Sequence, residues 1–299
     1  MSPAPLGFVG LGVMGAPMCA NLHAKSGRPV LAYDIDAAAL NRATSQGIGA
    51  AGDLVELAQQ AEVIFLSLPG GEQLAQVVGD LMPHLRRGQV IVDTTTAPVG
   101  LTRQLAGLLG DEGVDYADAP IARTRQAARD GTLSVMVGAT AAVFARIEPL
   151  IVCYATDISH CGPVGSGQVV KILNNMVLVE TVSALAEALT IGRRAGVDGA
   201  VLLETLSKGS ADSFALRNHA TKAMLPGRFP VRAFSARYAV KDLDYALELA
   251  AETAVSADGA RLGRARLEAA IAKGLDQAYW PVLLAAVDET LDAETPEED

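Results

Sequence analysis

The chain has little of the material from which metal sites, disulfide frames and nucleic-acid grips are made. Its 299 residues include three cysteines and four histidines. Cys19, Cys153 and Cys161 are odd in number and lack ligand spacing, so they read as free thiols in a reducing compartment. His23, His84, His160 and His219 are scattered, and no metal is expected. Aromatics make up 4% of the residues, charged side chains only 19%, and the formal net charge is -10. With no basic stripe, that balance excludes non-specific nucleic-acid binding. The N-terminal stretch "MSPAPLGFVGLGVMGAPM" has no basic region, and no run of about 18 uninterrupted apolar residues follows it. Neither a leader nor a membrane span is expected, which points to the cytoplasm. A Ser-His-Asp order or nucleophile elbow is also missing, which argues against hydrolysis.

What is present is apolar and finely punctuated. Half the residues are hydrophobic and 29 are glycine, a composition suited to close-packed helices and tight turns. The length is comfortable for two domains. Short apolar runs at 6–10, 29–34, 63–69, 89–96, 114–121 and 133–138 read as strands, each bounded by Gly, Pro or Asp. Ala-rich helical segments lie between them at 37–46, 53–60, 71–79 and 98–109, the last with Thr96 as a candidate N-cap. Continuously apolar strands alternating with helices predict a parallel-rich, doubly wound sheet covered on both faces. From about residue 166 only helical periodicity remains, led by a long run from Gln168 to Ala195. Gly162, Gly165 and Gly167 with Pro163 mark a hinge between the halves. The predicted division is an α/β domain at 1–162, an all-α domain at 163–290 and a frayed acidic tail at 291–299.

Gly10-Leu11-Gly12-Val13-Met14-Gly15 follows the first strand and opens a helix. In that setting the spacing is a dinucleotide fingerprint, with a pyrophosphate at the helix N-terminus. The second strand ends at Asp34, where a carboxylate accepts hydrogen bonds from the adenosine ribose and repels a 2′-phosphate. NAD is therefore the expected cofactor.

From Val169 to Val179 the only charge is Lys171, on a helix apolar nearly all round. Lys171, Asn174 and Asn175 stand at i, i+3 and i+4 and share a face. A wet stripe is the simpler explanation, but two adjacent amides need partners and the usual surface charges are absent. A cleft between the halves satisfies all three. A lysine there is a proton donor or acceptor for a carbonyl–alcohol interconversion, with Asn175 holding the substrate or orienting the amine.

Four blocks together resemble the β-hydroxyacid dehydrogenase family, which includes 3-hydroxyisobutyrate dehydrogenases and tartronate semialdehyde reductases. They are "GFVGLGVMGAPM", "DAPIARTRQAARDGTLSVMVGA", "GPVGSGQVVKILNNM" and "FSARYAVKDLDYALELA", and the likeness runs from about residue 6 to 250. The resemblance implies a Rossmann-type N-terminal domain, an all-helical C-terminal domain built on one long helix, and a homodimer or homotetramer. It makes Lys171 the acid/base catalyst and Asn175 its assistant, and it implies that Lys241 closes over the cofactor. Leu68, Pro69 and Thr96 then line the nicotinamide side, and Ser213 and Phe214 border the substrate.

The sequence departs from the family in two places: the Pro after the Thr of its motif is shifted by one, to Pro98, a local change of helix start, and the substrate loop differs. Ala122-Arg123-Thr124 stands where most members have Ser-Gly-Gly, whose backbone binds the substrate carboxylate. An Arg-Thr pair there resembles 3-sulfolactaldehyde reductases, and guanidinium, hydroxyl and an asparagine such as Asn174 match the three oxygens of a sulfonate. A small anionic substrate is expected, with 3-sulfolactaldehyde as the leading candidate. A carboxylate of the 3-hydroxyisobutyrate or tartronate semialdehyde type is the alternative. Arg125 and Arg129 read as facing solvent or a subunit neighbour. A non-catalytic NAD-binding sensor is the competing class, and a retained Lys171–Asn175 face argues against it.

Overall fold

A computed structural model describes residues 3–231 and 233–296. By internal contacts the chain divides into two compact units, Met1–Lys171 and Ile172–Asp299.

The first unit is a sheet wrapped in helices. Its strands are β1 (Leu6–Val9), β2 (Val30–Tyr33), β3 (Gly49–Ala50), β4 (Val63–Leu66), β5 (Val90–Asp93), β6 (Asp115–Asp118), β7 (Ile121–Ala122), β8 (Leu133–Gly138) and β9 (Ala155–Gly162). They run in the order β3-β2-β1-β4-β5-β6-β8-β7, with β9 beside β8. The pairs from β3 to β6 are parallel, β8 is antiparallel to β6 and β7, and β9 is parallel to β8. The helices are α1 (Gly15–Lys25), α2 (Ala37–Thr44), α3 (Leu54–Gln60), α4 (Gly71–Leu81), α5 (Val99–Asp111), α6 (Arg125–Asp130) and α7 (Ala141–Ile151).

Every residue of β1, β4 and β5 is buried. Their alternate side chains feed two cores, as a sheet covered on both faces requires. Phe8, Phe65 and Val92 join one, while Val9, Ile64, Leu66 and Ile91 join the other. Burying a side chain of this size contributes about 1.5–3 kcal/mol, so these strands anchor the fold. Side-chain caps define several helix starts. Asp36, Asp53, Thr124 and Thr140 accept the first-turn N–H groups of α2, α3, α6 and α7. The expected Thr96 cap is corrected: Pro98 is the N-cap of α5, without a side-chain bond, so Thr96 lies in the preceding loop.

Helix α8 (Ser166–Arg194) begins in the first unit and continues into the second. The division at Lys171/Ile172 thus falls inside the helix, beyond the 162/163 boundary read from the glycines. By length and composition α8 is the one helix among the described residues that would suit a membrane span, a feature that a search for an unbroken apolar run misses.

The second unit continues with α9 (Gly199–Leu206), a π-helical segment at Leu216–Met224, α10 (Ala236–Glu252), α11 (Asp258–Ala272) and a 3-10 turn at Trp280–Ala286. Trp280, Phe229 and Met224 are buried at the centre of its core. The expected fraying of the tail is corrected through residue 296. The Phe229 N–H donates to Glu294 O at 2.7 Å and the Val231 N–H to Pro296 O at 2.9 Å. Main-chain pairing gives this polar segment the partners its composition did not advertise. Residues 297–299 lie outside the described residues.

Candidate active site

The carboxyl ends of the parallel strands form one crest of the first unit, and the order reverses between β1 and β4. That topological switch point is where open α/β sheets bind ligands. The glycine loop follows β1, Asp34 follows β2, Leu68-Pro69 follows β4 and Thr96 follows β5.

The three glycines have different reasons to be there. A Cβ on Gly10 would lie 2.2 Å from Ser67 O, and one on Gly15 would lie 2.0 Å from Gly10 O, so the protein's own packing forbids both. A Cβ on Gly12 would meet no protein atom within 4 Å. Packing does not demand that glycine, which fits a backbone left bare for a pyrophosphate. Leu11 is buried, while Val13 is 52% exposed and Met14 half-buried beside it. Asp34 Oδ2 accepts the Leu11 N–H at 2.5 Å, and Oδ1 accepts the Asp36 N–H at 2.7 Å. Each carboxylate oxygen retains a lone pair for a ribose hydroxyl. Arg42, which could have served a 2′-phosphate, pairs with Asp36 at 3.7 Å. The donors and the cradle fit a dinucleotide.

The loops after β4 and β5 are tied together. The Leu68 N–H donates to Thr95 Oγ1 at 3.1 Å, and the Thr95 N–H donates to Asp93 Oδ1 at 2.9 Å. Pro69 is exposed and Thr96 half-buried. Under this loop the Tyr116 hydroxyl donates to Asp93 Oδ2 at 2.9 Å. Burial pushes the Asp93 carboxyl up to about 7.

The loop at 122–124 holds its arginine otherwise than expected. Ala122 ends β7, and Thr124 caps α6 by accepting the Ala127 N–H at 3.3 Å. Arg123 has φ +88, a left-handed conformation that favours glycine. Its guanidinium, expected to hold the substrate anion, instead faces β9. It donates to Thr132 O at 2.6 Å and Thr156 Oγ1 at 3.1 Å, and lies 2.6 Å from Asp157 Oδ2. The cause is β9 itself, an exposed strand whose polar residues the sequence pattern passes over. Asp157 supplies an anion from within the chain. Arg129 is exposed and bonds Gln126 on its own helix, while Arg125 is half-buried.

On α8, Lys171 is half-buried, Asn175 is 7% exposed and Asn174 is exposed. Asn174 Nδ2 donates to Asn175 Oδ1 at 3.1 Å. In the second unit Asn175 Nδ2 donates to Asp242 Oδ2 at 2.6 Å, which fixes which way that amide points. Asp242 is buried, and Lys241 Nζ stands 3.4 Å from its other oxygen. Lys241 also lies 5.4 and 5.3 Å from the ring centres of Tyr238 and Tyr245, a cation–π clasp on its ammonium. Ser213 Oγ accepts the Leu216 N–H at 3.1 Å, and Phe214 is 53% exposed with its ring edge-on to His219.

Sequence reasoning missed Asp242 as a partner of Asn175, although it adjoins Lys241. It also missed Asp118 and Gln168, which stand in the quoted blocks. Two cavities of about 340 and 290 Å³ share Thr190 and Arg194 near the other end of α8, and none of the site residues lines them.

A crest of glycine turn, carboxylate after β2 and paired loops is the arrangement of a dinucleotide-binding oxidoreductase. Comparison with known proteins narrows the class. Residues 5–162 match the NAD binding domain of 6-phosphogluconate dehydrogenase, and residues 165–279 match the NAD-binding domain of NADP-dependent 3-hydroxyisobutyrate dehydrogenase. The chain is 36% identical over 250 residues to 2-(hydroxymethyl)glutarate dehydrogenase of Eubacterium barkeri, covering 83% of this chain and 82% of that one. It is 36% identical over 214 residues to 3-hydroxyisobutyrate dehydrogenase of Pseudomonas aeruginosa, covering 71% and 72%. Among solved structures, Mycobacterium tuberculosis 3-hydroxyisobutyrate dehydrogenase with L-serine is similar at a TM-score of 0.88 and 27% identity, covering 96% of this chain and 99% of that one. The chain belongs to the β-hydroxyacid dehydrogenase family, oxidoreductases that act on CH–OH donors with a nicotinamide cofactor.

Proposed function

We propose that the protein interconverts a short anionic β-hydroxyacid and its semialdehyde, with Lys171 handling the hydroxyl proton. The observation that carries this reading is the lone charge of an otherwise uncharged helix start, Lys171. It stands six residues after Gly165 and four before an amide oriented by Asp242.

In oxidation the Lys171 amine takes the proton from the hydroxyl oxygen as the hydride leaves the carbon that bears it, and in reduction it returns the proton to the carbonyl oxygen. When bound, the nicotinamide supplies the acceptor or donor of that hydride. Asn175, held by Asp242, presents its carbonyl side to Asn174 and orients the reacting groups. Asp34, engaged by two main-chain N–H groups, supports NAD over NADP. The exposed apolar row Val170, Leu173 and Val177, at i, i+3 and i+7 of α8, supports a homodimer or homotetramer.

For the anion, the pairing of Arg123 with Asp157 supports a carboxylate held by the 122–124 main chain and Thr124, as in a 3-hydroxyisobutyrate-type substrate. A second reading keeps the sulfonate of 3-sulfolactaldehyde. An arginine at φ +88 is a strained choice, of the kind that persists at ligand-binding loops. Both members of its ion pair are exposed, at 42% and 58%, so solvent screens the pairing and a ligand anion competes with Asp157 for the guanidinium. Side-by-side kcat/KM values on 3-sulfolactaldehyde and methylmalonate semialdehyde test the choice. A carboxylate preference of about tenfold, or about 1.4 kcal/mol, is expected, and the same preference for the sulfonate would reverse the assignment. Absence of turnover on both, with tight NADH binding, would favour the sensor.

A further inference from the structure

We propose that Asp118 and Gln168 are positioning residues that clamp the first turn of α8 and so set where Lys171 stands; this rests on the reading of Lys171 as the proton-transfer group. Asp118 ends β6, is fully buried, and pairs in register with Gly138 of β8. Its Oδ1 accepts the Gly165 N–H at 2.7 Å and its Oδ2 accepts the Gln168 N–H at 2.8 Å. Those main-chain donors have no intrahelical acceptor, and the positive end of the helix favours an anion beside them.

Gln168 makes the second half of the clamp. Its Oε1 accepts the Ala97 N–H at 3.2 Å, and its Nε2 donates to Thr95 O at 2.6 Å. The side chain is fully buried. One end of the helix is thereby joined both to the tip of β6 and to the loop after β5, the loop that carries Thr96. Gln168 and Lys171 stand at i and i+3, so the face fixed by the amide is the face that bears the lysine. A single capping side chain holds a helix end in place, whereas two joints on different strands also fix its rotation about its axis.

Two glycines make room for the carboxylate. A Cβ on Gly138 would lie 2.4 Å from Asp118 Oδ1. One on Gly167 would lie 2.8 Å from Oδ2 and 2.3 Å from Met136 O. Parts of three sequence stretches, those beginning "DAPI", "MVG" and "GSGQ", meet at this one side chain. Burial pushes the Asp118 carboxyl up to about 6, against the pull of the main-chain N–H groups. An ionised group kept there at neutral pH is costly, and a neutral cap would hold a helix end alone at lower cost.

The test uses Asp118→Asn, Gln168→Met and Lys171→Ala in the full chain, singly and with each clamp variant combined with Lys171→Ala. Asparagine offers an N–H group to one of two N–H donors and so breaks one joint. NADH affinity by fluorescence titration, kcat and KM for hydroxyacid oxidation, and thermal midpoint are measured together. For each clamp variant kcat is expected to fall on the order of tenfold, with KM and NADH affinity within about threefold. In the Lys171→Ala background the same changes are expected to lower the residual rate less than about twofold, since their effect passes through the lysine. A folded variant with kcat within about threefold of the parent, or an equal fractional loss without the lysine, overturns the proposal. If Asp118→Asn does not fold, Gln168→Met decides by the same criteria. Near-parental activity of Lys171→Ala alone would instead overturn the assignment of the lysine, and is read separately.

Discussion

Arg123 Nη2 lies 2.6 Å from Asp157 Oδ2, which joins the loop after β7 to the exposed strand β9. Glycine adopts the φ of +88 at this position without strain, so Arg123→Gly trades an exposed ion pair for relief of the backbone. On a carboxylate semialdehyde we expect kcat/KM to stay within about threefold of the parent. A loss of about tenfold or more on that substrate would show that the guanidinium serves the anion after all.

Asp34 is expected to set cofactor choice. Its replacement by Ser removes the charge and the full acceptor set offered to the ribose. The kcat/KM with NAD should fall on the order of tenfold, and the NADP-to-NAD ratio should rise. Paired initial-rate measurements with the two cofactors check this, and an unchanged ratio would contradict it.

The buried carboxyls predict how stability varies with pH. Burial pushes Asp93 up to about 7 and Asp118 up to about 6. Because the folded values lie above the unfolded ones, their contribution is fully present below about pH 4 and is lost as pH rises through about 6 to 7. Asp93→Asn stays neutral, keeps an acceptor for the Thr95 N–H, and lets the Tyr116 hydroxyl rotate to accept. Thermal midpoints measured from about pH 5 to 8 should decline less for this variant than for the parent. Parallel declines would count against a raised Asp93.

Asp242 holds Asn175 at 2.6 Å and should matter through that amide. Asp242→Ala leaves the amide without its acceptor, and kcat is expected to fall on the order of tenfold with NADH affinity nearly intact. Steady-state rates beside a binding titration check this. Unchanged kcat in a folded variant would deny Asp242 that role.

Much of this arrangement is legible in the sequence because it rests on periodicity and turn chemistry. The apolar runs of β1, β4 and β5 and the long helix α8 declare themselves, since strands buried on both faces are built mainly from apolar residues. β9 does not, because its exposed residues make Thr156, Asp157 and His160 look like loop. That omission also hid the partner of Arg123. The clamp at Asp118 and Gln168 was out of reach for another reason: it joins residues 50 apart, and separation along the chain says nothing about which side chains meet.

The most direct test of the central claim compares the parent with Lys171→Ala in hydroxyacid-dependent reduction of NAD, with NADH affinity measured in parallel. If the lysine moves the hydroxyl proton, kcat falls about a hundredfold or more while NADH affinity stays within about threefold. Turnover near the parental rate would contradict it.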